Sequence, residues 1–559
     1  MSHGSPSGSE ISRTDIKWLG LIETNPPGHF DLGDFLLPYA HATELFQHFE
    51  DNYQPHFCIM EPVSSLQQLY NESQFLFWSI ILVASRNHYR HAPSYERLRP
   101  LVTRMHIQIA AEAIQSLYDL QALLLLCTFP CHMPGQLRDP GWPQIGTAIN
   151  VARQIGLDKD RDEVVLVAHP GLNRHPRYIR QMTWMKCFEL DVQMSCWHGH
   201  LPSLGYPHHA RTIARFCDTL PVAAGYAAVV SIHAELAQSL LALEDGMSAG
   251  NQAPSFLVRM FNERLNAVKT KWSAAWSLDA EIELLTARLY LYGACLVVPE
   301  ETSFQSRNDG FHAEMLQASQ SAAVQLSTIL TNVHDELMAN LQSLGYSSRW
   351  WPLPGRPRHV ARSAFFAATV LLKYLDDPHG TADGDSEAAK NAFGKVYQML
   401  SNAPDSAPTD YEEDPRSLEA AGRAIISNDK GRLHSHVTSR MGASIRYNVI
   451  WLANSLNPHE ESNPPSNVLE ELSTHFVLES HHPAYTDYEN IYNPTTTAPA
   501  NIVFNESLWD TTAAVCSMPG VDMGFGAWDD SGFDSWQNSL PYPAATGMQF
   551  DSLTAMTRA

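Results

Sequence analysis

Few residues in this chain have types and spacing that could do chemistry. The stretch "CTFPCH" brings Cys127, Cys131 and His132 within six positions. Two thiols and an imidazole are zinc donors, but a structural zinc site takes four ligands, and no second pair stands at matching spacing. The group reads as buried thiols at a helix end. "DDPHG" sets Asp376 beside Asp377; paired carboxylates on facing helices could hold magnesium, yet no partner motif accompanies them and the stretch reads as a loop. In "RWWPLPGRPRHVAR", residues 349–362, arginine stands beside tryptophan, a pairing that can stack on a base or hold an anion. As a proline-bent connection it is expected to anchor Trp350 and Trp351 in the core and turn its arginines to water. The sequence contains no Gly-rich phosphate loop ending in Lys and Ser or Thr, no His-Glu-x-x-His helix and no G-x-S-x-G elbow, the patterns through which phosphate transfer, zinc hydrolysis and acyl transfer announce themselves. The 26 histidines are dispersed. No catalytic, cofactor-binding or metal-ligating residue is assigned, and the chain is read as a non-enzyme.

A different chemistry is written into the C-terminal stretch. From 481 to 559, nine Asp or Glu face only Arg558, interleaved with Trp509, Phe525, Trp528, Phe533 and Trp536. This is the composition of an amphipathic activation segment. The rings offer apolar area to a coactivator groove, while Asp510, Asp522, Asp529, Asp530 and Asp534 keep them in water. The preceding stretch, rich in Pro, Asn, Thr and Ser, cannot bury enough apolar surface to offset its ordering entropy. Residues 456–559 are therefore expected to be a disordered linker and tail, and residues 1–30 a flexible arm.

The elements between these ends are helical by pattern. From 31 to 455 apolar residues recur at spacings of three and four, with polar, Pro- and Gly-bearing breaks between the runs. The spacing predicts helices near 39–53, 64–90, 140–156, 178–198, 278–297, 311–344, 358–376 and 433–455, among others, and an all-α fold: one large multi-helix body. In "DPGWPQIGTAINVARQIGLDKD", residues 139–160, Asp139 can cap the first amides and Pro140 sits where its missing N–H costs nothing. Trp142, Ile145, Ile149, Ala152 and Ile155 share one face expected to be buried, and Gly156 followed by Leu157 makes a left-handed stop. The segment is scaffold.

Composition narrows the function classes. With 60 acidic against 37 basic side chains the net charge is −23, which opposes a broad electrostatic footprint for nucleic acid or anionic lipid. Eight cysteines are scattered through apolar stretches and suit buried thiols of a reducing compartment. The first residues lack the charged-then-apolar order of a secretory signal. The apolar runs "FLFWSIILVAS" and "LQALLLLCTF" fall short of the roughly 20 residues that span a bilayer, so no membrane contact is expected.

Four stretches in order resemble the regulatory, or middle-homology, domain of fungal binuclear zinc-cluster transcription factors. "AHATELFQHFEDNYQPHF" precedes "FLFWSIILVASR"; "QALLLL" follows at 121–126; the 139–160 segment resembles the family's Asp-x-x-Trp, Gly-x-Ala and Gly-Leu-His pattern, with Asp158 where histidine is usual; and "RQMTWMKCFELDVQMSCWHGHLP" resembles the family helix that ends in Gly-Arg-Pro. The resemblance covers about 35–205 and implies structural roles for Trp142, Gly156, Leu157, Trp184, Asp191 and Gly199. It also implies nuclear transcription regulation through coactivators, and it admits a homodimer. The family's DNA reader needs six cysteines with two Cys-x-x-Cys pairs, and no such pair occurs here. DNA contact is thus expected only through a module absent from this chain or through a partner chain, without a zinc cofactor in this one. The alternative reading is a coregulator or ligand-sensing partner without DNA contact of its own.

Overall fold

The three-and-four spacing of apolar residues produces sixteen α-helices among the described residues. They are α1 Tyr39–Asn52, α2 Leu66–Glu72, α3 Gln74–Ser85, α4 Ala92–Ala111, α5 Leu117–Thr128, α6 Gly141–Gln154, α7 Arg177–His198 and α8 Pro207–Thr219, then α9 Ala224–Ser248, α10 Pro254–Lys271, α11 Leu278–Leu296, α12 Asp309–Ser343, α13 Arg358–Asp376, α14 Asp383–Ser401, α15 Pro415–Ile426 and α16 Ser444–Leu456. The computed structural model describes residues 18–456 except 24, 87, 89, 112–115, 131–140, 160–171, 173, 220–223, 249–253, 298–308, 344–352, 378–382, 402–414, 427–432 and 434–435. The chain divides into a unit Met1–Pro464 and a unit Pro465–Ala559, and every described residue belongs to the first. Trp509, Phe525, Trp528, Phe533 and Trp536 lie outside the described residues, as do Cys131, His132, Asp139, Pro140, Trp350 and Trp351.

Among the described residues the fold is all-α apart from one small hairpin. Strands β1, His29–Leu32, and β2, Phe35–Pro38, pair antiparallel, and their alternation buries Phe30, Phe35 and Leu37. Within the stretch 1–30, expected to be a flexible arm, Trp18 and the start of β1 are packed. Trp18 is buried and stacks on Phe46 of α1, while the Val63 N–H donates to the Trp18 carbonyl at 2.7 Å. One aromatic side chain with a partner outweighs the polarity around it.

The helices pack in sequence order around three that are enclosed almost completely. Helices α1, α2, α4 and α5 gather on α3; α5 and α6 lean on α7; α9 packs on α7, α8, α10 and α11; and α12 joins α11 to α13, on which α14, α15 and α16 close. In α7, 18 of 22 residues are buried, and in α13 17 of 19. A helix buried on every side must satisfy its polar groups internally, and this requirement shapes the sites below.

Several element boundaries differ from the spacing-based expectation for identifiable reasons. The run 64–90 is broken at Ser73, whose Oγ accepts the Leu76 N–H and starts a new helix. The run 433–455 becomes helical only at Ser444, after a 3₁₀ turn at Met441–Ala443; upstream, the Leu433 N–H is taken by Asp376 and the Val437 N–H by Asn448. Helix Ala224–Gly246 within α9 is long and apolar enough to cross a membrane by length and composition. Here it packs among four helices and buries His233 against Glu283.

Candidate functional site

The residues of α7 that look out of place in an apolar helix define the site. Lys186 and Glu189 are 1% and 4% exposed. Three positions apart on one face, they close on each other, Lys186 Nζ lying 2.8 and 2.9 Å from the two carboxylate oxygens. The same ammonium donates to the His56 carbonyl at 3.3 Å and lies 5.5 Å from the Tyr226 ring.

Two further carboxylates face this pair from α11. Glu283, 5% exposed, accepts from His233 Nε2 of α9 at 3.0 Å and from His359 Nε2 of α13. Asp279, in the first turn of α11, accepts from His56 Nδ1 at 3.1 Å and from the Arg356 guanidinium. The carboxylates of Glu189, Asp279 and Glu283 line a cleft of about 390 Å³ together with His56, Cys58, Tyr226 and His359. Glu283 and His359 also line a small cavity of about 20 Å³ that reaches Trp197 and Arg362.

Burial and ion pairing set the charges of this cleft. Burial works to raise Glu283, but His359 and His233 outweigh it and hold the carboxyl well below its ordinary range. Asp279 follows the same balance, burial being outweighed by His56 and then by Arg356. Burial pushes the Cys58 thiol up to about 11, leaving it protonated and a poor nucleophile at neutral pH. Burial and then the Glu189 charge raise the Tyr226 phenol well above its ordinary value. General acid–base work needs a group poised near the operating pH. These groups are each locked in one protonation state.

The residues implied by family resemblance do not line the cleft. Gly156 has φ +76°; the Leu157 N–H reaches the Ala152 carbonyl at 2.8 Å and the Gly156 N–H the Arg153 carbonyl at 3.0 Å, the paired bonds of a left-handed helix stop. Gly199 ends α7 in the same way, with φ +71° and the His200 N–H on the Ser195 carbonyl at 2.8 Å. Asp191 is buried and holds the return loop, accepting the Leu204 N–H at 2.7 Å and the Ser203 hydroxyl at 3.0 Å; burial raises its pKa despite these bonds. Trp184 is fully buried. Trp142 is not: it is half-buried, its ring 4.4 Å from that of His198 and 4.6 Å from that of His200. Helix α6 buries Ile145, Ile149 and Ala152 and leaves Trp142 at the rim, covering the end of α7.

The other sequence candidates are interior anchors. Asp376 is the last residue of α13 rather than part of a loop, and its carboxylate takes the Leu433 N–H at 3.0 Å; Asp377 pairs with His312 at 3.1 Å. Of the arginines expected to face water, Arg349 lies outside the described residues and the other three are engaged inside the fold. Arg356 is bound to Asp279, and Arg358 and Arg362 are buried, Arg362 lying 5.0 Å from the centre of the Trp197 ring. Cys127 is buried, with the Gln144 side chain 3.8 Å from its sulfur. Among the described residues the one convergent set of three metal-capable side chains contains no cysteine: Glu44, His88 and His91.

Residues 46–218 match the family model of the fungal specific transcription factor domain. Over these residues the chain is similar to that domain. The match spans α1 to α8 and includes Lys186, Glu189, Asp191 and Gly199. SEF1 of Kluyveromyces lactis, named as a transcription factor, is 23% identical over 444 residues, 76% of this chain and 37% of its own length. The transcriptional regulatory protein SEF1 of Candida albicans is 28% identical over 202 residues, 36% of this chain and 22% of its own. The regulatory protein LEU3 of Saccharomyces cerevisiae is 28% identical over 142 residues, 23% of this chain and 16% of its own. The chain thus spans about two fifths of the length of the two most extensively aligned relatives, 37% and 41%. No solved structure matches it.

Sequence reasoning missed Lys186, Glu189, His233, Asp279, Glu283 and His359. The available signal was a charged residue inside an otherwise apolar helical run, as in "MKCFEL" and "EIELLTARLYLY". Such a residue demands a partner, but the sequence does not name it.

Proposed function

We propose that the chain is a nuclear transcription regulator of RNA polymerase II genes whose helical body is a non-catalytic regulatory module. What supports this reading is the match to the domain family over 46–218, extended by a relative named as a transcription factor along 76% of the chain. The tail is the effector of this reading: Trp509, Phe525, Trp528, Phe533 and Trp536 engage coactivators, and their acidic neighbours keep them solvated. DNA contact comes from a module outside this chain or from a partner chain. The cleft between α7, α9, α11 and α13 favours ligand sensing as the body's task, because its walls come from segments far apart in sequence and an occupant would alter how they pack.

The test is a reporter driven by an unrelated DNA-binding domain. Fused to it, residues 501–559 should activate. Replacing the five aromatics by alanine should abolish activation, whereas replacing one aspartate should reduce it only slightly, since single exposed charges contribute little. Silence of both the tail fusion and the full-chain fusion would reject the activator reading. A gel shift in which the chain alone forms a discrete complex at physiological salt, against excess competitor, would reject the assignment of DNA contact to another module.

A further inference from the structure

The convergence of Glu44, His88 and His91 lies outside the cleft and serves none of the roles described above. Glu44 stands on α1, with His41 and His48 on the same helical face at i−3 and i+4. His88 and His91 stand on the turn between α3 and α4, where the His91 and Ala92 N–H groups both bond the His88 carbonyl, at 3.2 and 2.9 Å. This turn holds the two imidazoles three residues apart on one side of the backbone. Both rings are buried, 5% and 6% exposed, whereas the Glu44 side chain keeps 29% exposure, so the donors sit in a wall with one side open to water.

We propose that Glu44, His88 and His91 form a binding site for one divalent first-row transition ion, with zinc the best fit. The donor atoms of the three side chains lie within 4.8 Å of one another. His91 Nε2 is 3.2 Å from Glu44 Oε2, and His88 Nε2 is 3.6 Å from Glu44 Oε1. Bonds of about 2.0–2.1 Å in a tetrahedron place neighbouring ligands about 3.3–3.4 Å apart, so small side-chain rotations bring these atoms onto three vertices. The fourth vertex points to the open side and is left to water, as in three-ligand zinc sites. Two imidazoles and a carboxylate suit zinc, nickel, cobalt or iron and disfavour magnesium and calcium, which want oxygen.

Local contacts of Arg90 must yield. Arg90 Nη1 lies 3.3 Å from Glu44 Oε1 and its side chain is 62% exposed, so it competes for the carboxylate and can turn into solvent. Metal on His88 Nε2 needs the proton on Nδ1, which gives up the long 3.3 Å contact from the Arg90 N–H. The bound ion would tie α1 to the α3–α4 turn at the edge of the matched residues, which hold His88 and His91 and begin two positions after Glu44.

The test is a titration of the full chain with zinc against a chromophoric chelator, repeated with cobalt for the visible band of a four-coordinate ion. One equivalent should bind at micromolar affinity or tighter and raise the unfolding temperature. Glu44→Gln and His91→Gln should each weaken that equivalent by at least about tenfold, since even outer-shell losses reach this size. Arg90→Ala should tighten it, and magnesium should not compete. Because the chain holds 26 histidines, His481→Ala/His482→Ala serves as the control and should leave the equivalent unchanged. Glu44→Gln is nearly isosteric at a half-exposed position, and circular dichroism verifies its fold. Zinc binding of wild-type affinity in both Glu44→Gln and His91→Gln, or no equivalent at micromolar zinc in the wild type, overturns the proposal.

Discussion

Gly199→Ala isolates the contact that joins the end of α7 to the last segment of the body. Gly199 has φ +71°, and a Cβ there would lie 2.7 Å from the Arg440 Cβ and closer still to the Arg440 carbonyl oxygen. An alanine in the left-handed region costs roughly 1–2 kcal/mol, and forcing a methyl group against backbone costs roughly 1–3 kcal/mol more. The expected loss is therefore about 2–5 kcal/mol, a large share of the roughly 5–15 kcal/mol that holds a domain together. Gly33→Ala separates the two contributions: its φ is +62° with nothing within 4 Å of a Cβ, so it should lose only the conformational part, about 1–2 kcal/mol. Both variants are compared with wild type by urea unfolding at equal protein concentration, followed by helical circular dichroism. Equal losses in the two variants would refute the close approach of residue 440 to the end of α7, because only that approach distinguishes them.

Three further outcomes are expected. Trp184→Ala should cost about 3–5 kcal/mol, as for a large core aromatic, and half-buried Trp142→Ala distinctly less; equal losses in thermal unfolding would place Trp142 in the core after all. Removing one member of the buried Lys186–Glu189 pair should cost about 3–5 kcal/mol, while Lys186→Met combined with Glu189→Leu recovers most of it; a double variant as weak as the sum of the singles, measured by urea midpoint, contradicts this. Burial pushes His209 down to about 4, with the neighbouring His208 and Arg153 adding to the effect, Asp158 opposing it and Lys159 again lowering it. The unfolded chain then takes up this proton first as pH falls below about 6.5, so stability drops between about pH 6.5 and 4, by about 2 kcal/mol from pH 7 to 5. His209→Gln should remove that increment, and a pH profile identical to wild type would show that His209 does not carry it.

What could be read from sequence was local in origin. The helical period and the glycine stops at 156 and 199 depend on residues within one or two turns, and propensity and capping act at that range. The family resemblance also marked Asp191 as a structural residue. The candidate site was hidden by the same logic. Lys186, Glu189 and Glu283 were visible as charges in apolar runs, but a helical period states only which face is buried and not which segment covers it. Trp142 shows this limit: its face was assigned correctly for Ile145 and Ile149, yet the first turn of α6 projects past the core to the rings of His198 and His200.

By itself the sequence determined the all-α class, the positions of most helices, the acidic balance and the aromatic–acidic character of the tail, because each of these is a sum over neighbours along the chain. Only the tertiary structure decided which charges meet. Arg446 Nη2 reaches the Trp197 carbonyl across 249 residues, His359 and His233 converge on Glu283 from two different helices, and α1 brings Glu44 to His88 and His91. A buried polar group must find a partner whatever its distance in sequence, since leaving it unpaired costs far more than pairing it gains. That partner is chosen by how the helices pack.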